Sequence, residues 1–262
     1  MNIHRIDERR YRLVVDDNTQ HIFSSMGIFT TYGGQFRFRI GESIFIFPDV
    51  TIGDKIFFSY GNRIFNLGNR SYSHSSFDDR ITIGNYCSIA ENVTIFGSNH
   101  PTDRLTTAPI TYVGGMCIFE DAKVRPVRNK DDDILTIEND VWVGQQACFS
   151  RGITISTGAI IAACSVVTKD VPPYAVVGGN PARILKFRFP FPVIEKLLAS
   201  EWFNYEPSFF RHLTNLADVG ASLAEFNNLK KEGAIQKFGP RKNVLKLLME
   251  MTGPVSGANS QA

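Results

Sequence analysis

Apolar residues recur at every sixth position over much of this chain. Ile137, Val143, Phe149, Ile155, Ile161 and Val167 keep that step without a gap, as do Ile83, Ile89 and Ile95 and, further upstream, Ile40, Ile46, Ile52, Phe58 and Ile64. An amphipathic helix spaces its apolar residues by three and four, so a step of six excludes one. Four places after each late marker stands a second residue suited to an interior: Val141, Ala147, Ile153, Ala159, Ser165 and Val171. Gly, Asn, Asp, Ser and Thr fill much of what lies between. The pattern predicts a chain wound as a triangular prism, each six-residue unit making one short strand and one corner. Marker residues face the axis, and polar residues turn the corners, where Gly and Asn tolerate positive φ. A sandwich of short strands is the alternative architecture.

Two departures from the step are informative. Ile64 and Ile83 lie nineteen residues apart, one more than a full coil, and SYSHSSFDDR between them reads as a corner insertion or bulge. Between Ile95 and Ile137 the pattern lapses into a segment of Gly, Pro and charge, a loop extruded over about 97–133. Loops of that length are usually functional. His100 sits at its root.

Outside the repeats, residues 1–39 read as an N-terminal β capping segment, with RYRLVV and a strand-like alternation after Phe36. Residues 40–187 are the prism. From 188 to 252 the apolar spacing changes to three and four, punctuated by Pro190, Pro192, Pro207, Gly233 and Pro240, which predicts C-terminal helices. These helices are expected to pack on the prism's side or open end and mask its strand edges. Residues 253–262 have the composition of a disordered tail.

Composition narrows the function classes. The 28 basic and 26 acidic residues are spread evenly, leaving a net charge of +2 and no basic stripe for nucleic acid or a membrane surface. No run approaches the eighteen or so apolar residues of a spanning helix, and the N-terminus lacks a secretory pattern, so a cytoplasmic location is expected. Cys87, Cys117, Cys148 and Cys164 show no Cys-x-x-Cys spacing, so neither a disulfide nor a metal site is expected. The 21 Phe are read as filling the prism and covering its ends. Phosphate-binding Gly-rich signatures are absent.

Several motifs carry a family resemblance: Val141-Trp142-Val143-Gly144, the run Ser165 to Pro172, Gly179-Asn180-Pro181-Ala182-Arg183, and the loop entry Asn99-His100-Pro101-Thr102-Asp103. Over roughly 81–187 the chain resembles the hexapeptide-repeat acetyltransferases, in their xenobiotic and sugar O-acetyltransferase branch. The resemblance implies a mainly β fold, a left-handed parallel β-helix with an extruded loop, a homotrimer with active sites between subunits, and direct acetyl transfer from acetyl-CoA without an acyl-enzyme. Glu138, Ser156 and Ala162 replace the family's usual Gly after the marker, and Cys164 replaces another; these changes bear on the donor groove.

Acetyl transfer to a hydroxyl needs a base for the hydroxyl proton and a donor for the oxyanion. Of five histidines, His100 is the candidate base by its place at the loop root. His74 in the insertion is the rival, with a possible place near the acceptor, whereas His4, His21 and His212 read as surface or structural residues. Asp78 and Asp79 precede a turn where similar sugar acetyltransferases place acidic groups that hydrogen-bond the acceptor, with capping a turn as the alternative, and Asn99 of the loop entry is a further acceptor-binding candidate. For the donor, the resemblance implies Trp142, backbone contacts at Gln145 and Ala163, and cations or donors for phosphate at Thr168, Lys169, Arg183 and Lys186. The expected acceptor is a hydroxyl of a saccharide, a surface polysaccharide or a nucleotide-linked sugar. An antibiotic hydroxyl, an amino-sugar nitrogen, a zinc hydratase needing three clustered histidines, and a non-catalytic β-helical scaffold are the alternatives.

Overall fold

A computed structural model describes residues 2–31, 36–97, 100–111 and 134–252. Short parallel strands stack into the three faces of a left-handed β-helix. The first face carries Thr51–Ile52, Asn66–Leu67, Ile81–Ile83, Leu135–Ile137 and Thr154–Ile155. The second carries Ile28–Phe29, Ile56–Phe58, Tyr72–Ser73, Ser88–Ile89, Trp142–Val143, Ile160–Ile161 and Ala175–Gly179. The third carries Thr94–Ile95, Cys148–Phe149 and Val166–Val167, preceded in the early coils by Ser43–Ile46 and Arg63–Ile64.

Register explains the sequence period. Ile137 pairs with Ile155, Val143 with Ile161 and Phe149 with Val167, so each marker lies over its counterpart one coil on. All six late markers are buried, and so are the six second-position residues from Val141 to Val171. Between them, Asp140, Gln146, Gly152, Gly158 and Cys164 take positive φ at successive corners. Only two of these five are Gly. The turn therefore sets the conformation even where Gln and Cys carry the cost.

The early coils depart from the expected phase. Leu67, not Ile64, lies over Ile83, because Arg63–Ile64 is followed after Phe65 alone by Asn66–Leu67. The corner is cut to one residue, and Phe65 fills it edge-to-face between Phe58 and Phe77, at centroid distances of 4.8 and 5.2 Å. Ser73 occupies a marker position, fully buried beside Ile89, with its hydroxyl donating to the Ser75 carbonyl at 2.8 Å. Ile40 is no marker: it is 70% exposed in the turn before the strand Ser43–Ile46.

An asparagine ladder runs along the corner between the first and second faces. The side-chain oxygens of Asn69, Asn85 and Asn139 accept from the backbone N–H of Asp54, Asn69 and Asn85, at 2.7, 2.8 and 2.9 Å. Each amide thus satisfies the corner of the coil before it, which matters because an unpaired buried N–H is costly.

Both ends of the prism are covered. At the N-terminal end the hairpin Asn2–Asp7 and Arg10–Val14 pairs onto Ser43–Ile46. A helix that the strand-like pattern does not anticipate, α1 (Thr19–Ser25), buries Ile22 and Phe23; Asp16 and Thr19 brace its start through bonds of 2.8 and 2.9 Å. At the far end Ala182–Phe187 folds back antiparallel on Ala175–Gly179. Three helices follow: α2 (Phe191–Ser200), α3 (Val219–Lys231) and α4 (Val244–Thr252). Much of the edge masking falls to a strand. Lys242–Asn243 returns to pair with Thr51–Ile52, and α4 then buries Val244, Leu245 and Leu248 in the main core.

Candidate active site

The loop carrying His100 leaves the prism after the third-face strand Thr94–Ile95, at the edge shared with the first face. The guanidinium of Arg151 holds that exit by donating from Nε to the Phe96 carbonyl at 2.7 Å. The ring of His100 is fixed by a contact of 2.7 Å between Nδ1 and the Thr107 carbonyl. A carbonyl only accepts, so Nδ1 is the donor in this contact, and in the neutral ring the lone pair falls on Nε2. Most of the loop, Asn99 included, lies outside the described residues.

The carried-over donor residues fall into three groups. Thr168 and Lys169 are exposed on the same edge as the loop exit, two coils further along. Gln145 and Ala163 stand on the next edge, between the second and third faces, stacked one above the other; the Gln145 carbonyl accepts from the N–H of Cys164 at 2.9 Å. Gly144 makes that stacking possible, because a Cβ there would lie 2.5 Å from the Ala163 nitrogen. These two groups flank the third face, whose outer surface presents Thr94, Cys148 and Val166. Trp142, 56% exposed, sits instead on the outer side of the second face, and Arg183 and Lys186 lie on the strand that extends that sheet.

Candidate acceptor residues are also separated. Asp78 holds Arg80 in an ion pair, and Asp79 holds Arg9 of the N-terminal hairpin. Burial pushes the Asp78 carboxyl up, but hydrogen bonds and charge from Arg80 outweigh it and hold it below the ordinary carboxylate range. His74 belongs elsewhere: its ring meets the Ser59 hydroxyl and packs against Phe57 and Tyr72 on the second face, the face opposite the loop's edge. Sequence reasoning missed Arg151 and the Thr107 carbonyl. Arg151 reads as one charge at one corner, and a backbone carbonyl leaves no residue-type signal at all.

Among the described residues no group of three or more His, Cys, Asp and Glu is placed to hold a metal ion, and no helix is long and apolar enough to cross a membrane. No family model matches the chain. It is, however, 38% identical over 174 residues to a probable macrolide acetyltransferase of Lysinibacillus sphaericus, covering 64% of this chain and 93% of that protein. The chain belongs to the hexapeptide-repeat acetyltransferase family. This acetyltransferase is also 36% identical over 130 residues to a chloramphenicol acetyltransferase of Agrobacterium fabrum, covering 48% of this chain and 61% of that one. A galactoside O-acetyltransferase of Escherichia coli is 31% identical to it over 151 residues, 56% of this chain and 62% of that one. Among solved structures, a hexapeptide-repeat acetyltransferase of Vibrio cholerae complexed with acetyl coenzyme A is 27% identical, covering 53% of this chain and 60% of that one, with a TM-score of 0.33.

Proposed function

We propose that this acetyltransferase moves an acetyl group from acetyl-CoA directly to a hydroxyl of a small-molecule acceptor, with His100 as general base. The observation that carries the proposal is the bond between Nδ1 of His100 and the Thr107 carbonyl, which leaves the lone pair on Nε2. Nε2 takes the hydroxyl proton as the oxygen attacks the thioester carbon. When the tetrahedral oxyanion collapses, the C–S bond breaks and the imidazolium returns its proton to the departing thiolate. The products are an ester and CoA.

The donor is assigned to the edges that flank the third face. Pantetheine amides pair with backbone at Gln145 and Ala163, and Trp142, Thr168, Lys169, Arg183 and Lys186 serve the nucleotide end, where cations suit phosphate oxygens. A homotrimer would bring residues of separate faces together between subunits. The exposed apolar side chains of Trp142, Ile184 and Leu185 support such an assembly.

Macrolide and chloramphenicol relatives favour an antibiotic hydroxyl as acceptor. A saccharide hydroxyl is the second acceptor class, favoured by one observation: the cavity beside the loop's exit strand is lined by Arg63, Asp78, Thr94 and Arg151, a largely polar wall. Purified protein with acetyl-CoA, a macrolide, chloramphenicol, galactosides and amino sugars decides between them by thiol release and product mass. Ester formation on either antibiotic is the expected result. Turnover of saccharide hydroxyls alone moves the assignment to the second class, and turnover of an amino sugar alone overturns O-transfer.

A further inference from the structure

On the corner between the first and second faces, opposite the third face, the asparagine ladder borders a cavity of about 270 Å³. Its outer wall is the segment 237–241, which leads into the strand Lys242–Asn243. That wall is fixed at Phe238, whose N–H donates to the Asn204 carbonyl at 2.9 Å and whose ring packs against Tyr86 at a centroid distance of 5.6 Å. Lys237 and Arg241 line the cavity, and among the described residues no carboxylate does.

Arg241 differs from the other cavity-lining arginines. Arg9, Arg80 and Arg188 each meet a carboxylate. Among the described residues Arg241 makes neither a hydrogen bond nor an ion pair. Its guanidinium rests on the corner backbone, where a Cβ on Gly68 would lie 2.7 Å from Nη2. The titratable group that acts on it is the Cys87 thiol, which burial keeps protonated, so burial holds the Arg241 guanidinium below its ordinary pKa. A guanidinium set against the fold without a counter-charge is costly, and an anion entering the cavity removes that cost.

The neighbouring groups define the anion. Lys237 pairs with Glu201 at 3.6 Å and lies over the Tyr205 ring, but both partners of the ion pair are more than half exposed. Such a pair contributes little, and the ammonium is free to turn to a ligand. Asn204 adds a side-chain amide with no partner among the described residues, whereas the amides of Asn69 and Asn85 are spent on the ladder and on the Phe203 carbonyl. A carboxylate would leave one of the two cations unmatched. A phosphate group carries a charge of roughly −1.5 to −2 at pH 7 and three strong acceptor oxygens, which suits two cations and an amide.

We propose that this cavity binds a dianionic phosphate group, free or carried on a small organic molecule, and that the bound group fastens segment 237–241 to the corner of the prism. Arg241 and Lys237 are its binding residues. None of the residues assigned to acetyl transfer lines the cavity.

The test uses the full-length protein with inorganic phosphate, glycerol 3-phosphate, glucose 6-phosphate, and sodium chloride of equal ionic strength, read by thermal unfolding and calorimetry. At least one phosphate should raise the melting temperature by several degrees beyond chloride, as ligand binding to the folded state requires. Tighter binding of an ester supports an organic phosphate as the ligand, and equal binding of all three supports free phosphate. Arg241→Met should weaken binding about tenfold or more. Lys237→Met, a change to an exposed side chain, should weaken it several-fold. CoA affinity is expected to stay the same in both variants, which also verifies that they fold. Stabilisation no greater than that of chloride overturns the proposal, and so does a response by both variants equal to that of the unaltered protein. Loss of CoA affinity in a folded variant overturns it as well, by joining the cavity to the donor's site.

Discussion

Nδ1 of His100 and the backbone carbonyl of Thr107 stand 2.7 Å apart, seven residues along the loop from each other. The bond orients the ring and makes Nδ1 its donor to the backbone. His100→Asn offers an amide N–H in place of Nδ1 but no base, so turnover should fall by a factor on the order of a hundred or more while CoA binding persists. Thr107→Ala removes only a side chain and should keep most activity. Steady-state kinetics with calorimetry for CoA checks both, and an active His100→Asn enzyme would rule out the base assignment.

Gly144 lies beneath Ala163, with 2.5 Å between the Ala163 nitrogen and the place a Cβ would take. Gly144→Ala must push the next coil outward, at a cost of roughly 1–3 kcal/mol. It also deforms the corner assigned to the donor. The expected result is a lower melting temperature together with weaker CoA binding. Unaltered CoA affinity in the destabilised variant would detach that corner from the donor.

The late coils were fully legible in the sequence because every coil there has the same length, so burial at Ile137, Val143 and Phe149 predicts burial one coil later. The early coils were not. A corner reduced to Phe65 and a serine at the marker position of residue 73 erase the period locally, although the strands stay in register. Helix α1 is too short to display a helical stripe, and Lys242–Asn243 pairs with a strand about 190 residues earlier, a contact beyond the reach of local pattern. At the site, the motif marks His100 as a candidate, while the Thr107 carbonyl that meets its ring carries no residue-type signal. The Arg9 partner of Asp79, by contrast, comes from the N-terminal hairpin, 70 residues earlier, and depends on distant chain segments meeting.

Asn85 sits mid-ladder, its oxygen accepting from both the backbone and side chain of Asn69 while its own amide donates to the Phe203 carbonyl at 3.1 Å. Asn85→Leu leaves several buried groups unpaired and should cost on the order of 2–4 kcal/mol. Denaturant unfolding measures it. A change below about 0.5 kcal/mol would show that the ladder contributes little to stability.

Cys87 is buried, its thiol donating to the Glu138 carbonyl at 2.9 Å, and burial pushes its pKa up from 9.0 to about 12. In the unfolded chain the thiol ionises near pH 9, so above that value the unfolded state loses a proton that the folded state keeps. Stability should therefore fall as pH rises from about 9, by on the order of 1 kcal/mol per unit at most. Cys87→Ala should flatten that decline between pH 9 and 10 in denaturant titrations. An equally steep decline in the variant would assign it to other groups.

The pairing of Lys242–Asn243 with Thr51–Ile52 also bears on how the protein is made. Synthesis runs from the N-terminus, so the first coils emerge with their outermost first-face strand unpaired and wait for about 190 further residues before its partner appears. Throughout that interval another nascent chain competes for the same backbone groups. Yield in the cell is thus tied to the strand Lys242–Asn243, and a ribosome that stalls before residue 242 releases a product with an open template for aggregation.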